Sequence, residues 1–258
     1  MKKQARTPLR PRRRKWIFVV SAVLAALVSV TGTFSIWGKS DAPKSRLLTA
    51  DEADRLAVVR FRNYQATGRA LTLTVPTALG VVTVRGSVDF RARVGYAVLT
   101  GTGKSSSTHA LIQWTMASLA ETPVQTAALL PPATPPPTGW ISRPLSPEGS
   151  TLDAALTLVL SLSSDRPDNA QLITQGGARW LGRTAIHGVA ADEMLGPVPS
   201  APSSSRRSST VRYWVSADGL LLRLQASIAT ALAPATLEFG GFPYTPVHPL
   251  PGLQAPSR

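Results

Sequence analysis

Val211-Arg-Tyr-Trp-Val-Ser-Ala-Asp-Gly-Leu-Leu-Leu-Arg-Leu-Gln225 is the stretch on which the fold turns. Apolar residues alternate with others on both sides of Asp218-Gly219, the period of a strand with one buried face. Asp-Gly is a hairpin turn signal, so two antiparallel strands are expected here. Moving back along the chain, Ala178–Leu181 and Thr184–Met194 read as further strands, followed by a Ser/Pro/Arg loop over 197–209. Moving forward, Ala235–Phe239 offers a last strand, and from Pro243 a proline-rich irregular tail is expected.

A second alternating block lies earlier. Leu71–Val75, Val81–Val88, Asp89–Thr100 and His109–Leu119 keep the two-residue period between turn residues and predict an antiparallel meander. Between the blocks, Pro131-Pro-Ala-Thr-Pro-Pro-Pro137 reads as a stiff loop or linker. Ser150 and Thr151 are N-cap candidates for a helix over Leu152–Leu162, apolar nearly all round and therefore expected to be buried. Asp165 to Ile173 suggests a short helix with Pro167 in its first turn. Ahead of the meander, Thr49-Ala-Asp-Glu52 is a capping box for a helix over about Ala50–Arg62. The expectation is a mainly β, α+β domain over residues 49–242, its sheet covered by helices, with a tail over 243–258.

The N-terminus fixes an expected location. Residues 16–37, from Trp16 to Trp37, are 22 residues without a charge. As a helix they span roughly 33 Å, enough for a bilayer core, with a tryptophan at each interface. Of the 28 basic residues, 8 fall in the first 15 positions beside no acidic residue. The net charge of +14 therefore drops to +6 beyond them, 20 basic against 14 acidic residues. The positive-inside rule makes 1–15 a cytoplasmic stub, 16–37 a signal anchor, and 38–48 a stalk leading to an extracytoplasmic domain; the alternative is a signal peptide cleaved near Thr31-Gly32-Thr33, against which stand the length of the apolar run and Trp37. Topology explains the basic stub better than nucleic-acid binding does, so no nucleic-acid partner is expected. Arginine outnumbers lysine 22 to 6 in an Ala- and Pro-rich chain, a composition that fits an actinobacterial cell envelope protein.

Motifs for chemistry are sparse. No cysteine means no disulfide, thiolate metal site or cysteine nucleophile. Gly101-Thr-Gly-Lys-Ser105 lacks the first glycine of a P-loop, since Val98 stands there. His109, His187 and His248 show no metal-ligand spacing, with His187 placed in a strand. Asp165/Asp168 read as a helix start, and Asp192/Glu193 point to opposite strand faces. No catalytic residue, metal or cofactor is expected, and the chain does not read as an enzyme. What stands out is apolar: Trp114, Trp180 and Trp214 on strands, and Leu156, Val159 and Leu160 on the buried helix. These six residues read either as core or as walls of a sheet–helix cleft for an apolar ligand.

The order helix, strands, buried helical insert, returning meander resembles the LolA/LprG/LppX-like superfamily of lipoprotein carriers and lipid-binding lipoproteins. The local resemblance lies in Gly86–Phe90, in Ala178–Leu181 through Val189, and in the hairpin Arg212–Arg223. It implies a strongly curved antiparallel half-barrel whose concave, helix-covered face holds acyl chains, and no catalytic residues. The lipobox cysteine of the lipoprotein members is absent. Two functions follow as expectations. One is a membrane-anchored domain binding lipid or another apolar ligand in the sheet–helix cleft. The other is an envelope sensor or scaffold that docks a protein partner and has no ligand cavity.

Overall fold

The computed structural model describes residues 45–105, 109–125, 128–197, 211–228 and 233–253. The expected anchor, with Trp16 and Trp37, lies outside them. Among the described residues no helix is long and apolar enough to cross a membrane.

The chain opens with β1 (Arg46–Leu47), α1 (Ala50–Ala57) and α2 (Val59–Gln65). The meander follows: β2 (Gly68–Thr77), β3 (Gly80–Asp89), β4 (Val94–Gly101), β5 (His109–Trp114), β6 (Ser118–Pro123) and β7 (Ile141–Pro144). Then come α3 (Thr151–Ser161) and α4 (Ala170–Gln175). The second block is β8 (Arg179–Ile186), β9 (Val189–Leu195), β10 (Val211–Ser216), β11 (Leu221–Ala226) and β12 (Ala235–Phe239).

All twelve strands join one antiparallel sheet in the order β1-β8-β9-β10-β11-β12-β2-β3-β4-β5-β6-β7. The fold is mainly β as expected, and the sheet is not closed: β1 and β7 are its two edges. The blocks meet at β12 and β2, where Leu237 pairs with Leu73 and Phe239 with Leu71.

Alternation gives the sheet two unlike faces. The inner face carries Leu71, Leu73 and Val75 of β2, Val82, Val84 and Val88 of β3, and Ile112 and Trp114 of β5. Against it pack Leu56, Ala57 and Val59 of α1–α2, Leu156, Val159 and Leu160 of α3, and Ile173 of α4. On the outer face, Val94, Tyr96, Val98 and Leu111 are covered by Val247 and Trp140. Ala120 is covered by Leu250 and Leu253. The segment expected as an irregular tail forms no helix or strand, yet it is held: Gln113 donates to the His248 carbonyl at 3.0 Å and accepts from the Leu250 N–H at 2.6 Å.

Several local expectations are corrected. The first helix is broken at Val58 into two short ones. Its capping box is present, with Glu52 N–H donating to Thr49 Oγ1 and Thr49 N–H to Glu52. His109–Leu119 is two strands, because Thr115 Oγ1 accepts the N–H groups of Ala117 and Ser118 and turns the chain. The short helix starts later than Asp165: Asn169 caps it, and Asp168 pairs with Arg60 at 3.0 Å instead. His187 is not in a strand; it sits at φ 50° in the β8–β9 turn. The Asp218-Gly219 turn is wider than two residues. Ser216 Oγ donates to Asp218 and accepts the Leu220 N–H, while Gly219 adopts φ 80°. Residues 46–48, read as the end of a stalk, add β1 to the sheet edge and bury Leu48.

Candidate functional site

The sheet–helix layer is where a carried acyl chain would lie. Trp114 is fully buried and its indole Nε1 donates to the Leu156 carbonyl of α3 at 3.2 Å. Gly95 leaves the space that the ring fills: a Cβ there would stand 2.2 Å from it. Leu156 and Val159 are 0% exposed and Leu160 2%. Asn63 of α2 ties the Leu162 carbonyl from the other end of α3 at 2.8 Å. Four of the six expected wall residues thus converge, and they converge on one another. Trp180 is half-buried at the β8 edge, under the Arg46 guanidinium at 4.5 Å.

Trp214 is a correction. It faces the opposite side of the sheet and packs with Ile186, Ala191 and Leu222. Tyr213 and Val215 take the inner positions of β10. The inner row of this strand is Val211, Tyr213 and Val215 and the outer row Arg212, Trp214 and Ser216, so the alternation itself places Trp214 on the face away from the helices.

The buried acids are neutralised rather than poised. Asp192 accepts from Arg183 at 2.9 Å, Arg55 at 2.8 Å and Trp180 Nε1 at 3.1 Å. Burial pushes its pKa up, but these partners outweigh that and hold it below the usual range. Asp153 behaves alike: burial raises it, and Arg143, the Ser146 N–H and Ser150 hold it down. Glu52 is brought to about 2, chiefly by its bidentate contact with Arg46 at 2.7 Å, against the opposing effect of burial. Lone carboxylates saturated by arginine are poor proton donors or acceptors near neutral pH. Among the described residues no three His, Asp or Glu converge as metal ligands.

A recess opens on the outer face. Gly86 and Ser87 of β3, Tyr96 of β4, Leu130, Pro131 and Pro132 of the proline-rich loop, and Phe242 and Thr245 of the tail line about 60 Å³. The Tyr96 hydroxyl is buried without a hydrogen-bond partner, and burial pushes its pKa up to about 12. Sequence reasoning does not single out this place. Ser87 and Tyr96 fall in alternating strands, which by itself gives no sign of a recess. Only the long-range return of the tail encloses them.

No family profile and no curated protein matches this chain. Among solved structures, one similar chain is described as an uncharacterized conserved protein from Thermus thermophilus. It is 12% identical, with 74% of this chain and 85% of that chain covered and a TM-score of 0.36.

Proposed function

We propose that this chain is a single-pass membrane protein, its N-terminus cytoplasmic, whose folded domain is non-catalytic and docks a protein partner at the cell envelope. The observation that carries this reading is the filled sheet–helix layer. The residues that would line an acyl-chain cleft are packed on each other and tied by Trp114 and Asn63 to the backbone of α3. A bound chain would have to displace α3 and break both ties. The uncharged segment 16–37 behind a basic stub supports the anchored topology.

A docking surface is available at the free edge of β7. All four of its residues are exposed, and Ile141 is 66% exposed. An edge strand offers unpaired backbone groups to an extended segment of a partner.

The second reading is a LolA-like lipid-binding domain, favoured by the convergence of Trp114, Leu156, Val159 and Leu160 in one apolar cluster. The strongly curved half-barrel belongs to this relationship. His187 of the β8–β9 turn reaches Glu238 of β12 at 3.3 Å across β10 and β11, which supports curvature there.

Site-specific photo-crosslinking of the full chain in its membrane tests the two. A crosslinker at Ser142 on β7 should trap one defined protein, and a crosslinker at Gln171 on α4 should not. Ile141→Lys should abolish the product. No product from Ser142, together with labelling of α3 by a photoactivatable fatty acid, would favour the lipid carrier instead.

A further inference from the structure

The middle of the sheet carries a row that neither the docking edge nor the sheet–helix layer uses. Register aligns Thr236 of β12 with Thr74 of β2, Thr74 with Thr83 of β3, and Thr83 with Thr100 of β4. Their chain neighbours Leu237, Leu73, Val84 and Leu99 face the core, so the four threonines share the outer face. Thr72 and Arg85, paired with each other, lie in the adjoining row of that face. Among the described residues the hydroxyls of Thr72, Thr74, Thr83 and Thr100 have no hydrogen-bond partner, and none of them is sealed from solvent. Thr236 Oγ1 only accepts, from Gln225 at 3.3 Å. The Arg85 guanidinium forms no ion pair with a described residue and is held 5.0 Å from the centre of the Phe242 ring.

The other charges on this side of the sheet are paired: Arg223 with Glu238 at 2.6 Å, and Arg212 with Glu193 at 3.1 Å. Paired charges and a line of free hydroxyls complement an occupant that is uncharged and rich in hydroxyls itself. The row holds no aromatic or aliphatic anchor of the kind on which protein interfaces centre. One guanidinium is not the cluster of cations that a polyanion selects. Spacing narrows the occupant further. Neighbouring strands stand about 4.8 Å apart, so the hydroxyls repeat at that interval over about 14 Å. An extended β-1,4-linked glycan advances by about one such interval per sugar, whereas an α-1,4-linked glycan coils away from a straight row.

We propose that this row binds a linear, uncharged β-1,4-linked polysaccharide laid across the strands. Its hydroxyls exchange hydrogen bonds with Thr236, Thr74, Thr83 and Thr100, and Arg85 donates to its edge from the adjoining row. The row lies on the opposite face from the sheet–helix layer and three strands from the β7 edge, so it does not depend on the docking reading.

Isothermal titration of the full chain in phosphatidylcholine nanodiscs tests it, with chitohexaose, an uncharged β-1,4 hexasaccharide, as probe and maltohexaose as control. Chitohexaose should give a saturable heat and maltohexaose none. Thr74→Val combined with Thr83→Val removes two hydroxyls from the centre of the row and keeps the branched shape that suits a strand. The double variant should bind about tenfold more weakly. Its melting temperature should not fall, because neither hydroxyl has a partner in the fold, so loss of binding there is not loss of structure. Thr184→Val, on β8 and outside the row, should leave the affinity unchanged. Absence of saturable chitohexaose heat, an equal response to maltohexaose, unchanged affinity in the double variant, or an equal loss in Thr184→Val overturns the proposal.

Discussion

Glu52 shows how a single side chain serves two ends of the structure. Its carboxylate closes the capping box of α1 and also clamps Arg46, which stacks on Trp180 at the sheet edge. The carboxyl is held at about 2 in the folded protein against an ordinary 4.5. A depressed folded pKa adds stability above the unfolded value, and that stability is lost as pH falls from about 4.5 toward 2. Arg46 is 44% exposed, so solvent weakens the pair, and a loss of about 1–2 kcal/mol is expected rather than the full shift. Thermal melts of the full chain in detergent from pH 7 to pH 3 should show a steeper fall for wild type than for Arg46→Gln. Parallel profiles would contradict the assignment. The Thr49–Glu52 spacing makes the cap legible in sequence. The Arg46 clamp is not, because nothing local says that the stalk end joins a strand 134 positions away, where Arg46 pairs with Trp180.

At the scale of elements, α3 and β7 are joined by one asymmetric ion pair. Asp153 at the third position of α3 is 0% exposed and takes both Arg143 terminal nitrogens, at 2.6 and 2.7 Å. The Arg143 side chain is 42% exposed. Removing the arginine strands a buried carboxylate, whereas neutralising the acid leaves a guanidinium that water can reach. Arg143→Ala should therefore cost about 3 kcal/mol, and Asp153→Asn about 1 kcal/mol. Chemical denaturation of the full chain in detergent checks the order, and a larger loss for Asp153→Asn would contradict it. The helix itself is readable from Ser150 and the apolar run 152–162. Element boundaries are misread where a side chain resets the chain locally: Thr115 between β5 and β6, Asn169 before α4, and the His187-Gly188 turn inside an alternating run. Trp214 is misread for a different reason. Trp214 shares its row with Arg212 and Ser216, opposite the apolar row of Val211, Tyr213 and Val215, so its register points to the outer face and only its aromatic character suggests the core.

At the scale of the molecule, the sheet is knit by pairings between distant parts of the chain. β12 lies beside β2 and β1 beside β8, so the two alternating blocks form one surface. Helices cover the inner face, while Trp140 and the segment ending at Leu253 cover part of the outer face. The tail's role is hidden in the sequence because a proline-rich stretch without a period gives no packing signal. Val247, Leu250 and Leu253 bury themselves through contacts far away in sequence. The same long-range enclosure makes the recess around Ser87 and Tyr96. The central functional question, whether the layer under α3 is a core or a slot, lies on the other face.

The chain contains no cysteine, so one introduced thiol reports on that layer without background. Val159→Cys places it under α3, where Val159 is 0% exposed, with little change in volume. Maleimide labelling of the full chain in native membranes is the most direct measurement. The docking account predicts that the thiol reacts only after denaturation and that added fatty acid changes nothing. A thiol that reacts in the native protein and is protected by fatty acid would contradict it, and would show that α3 covers an opening slot.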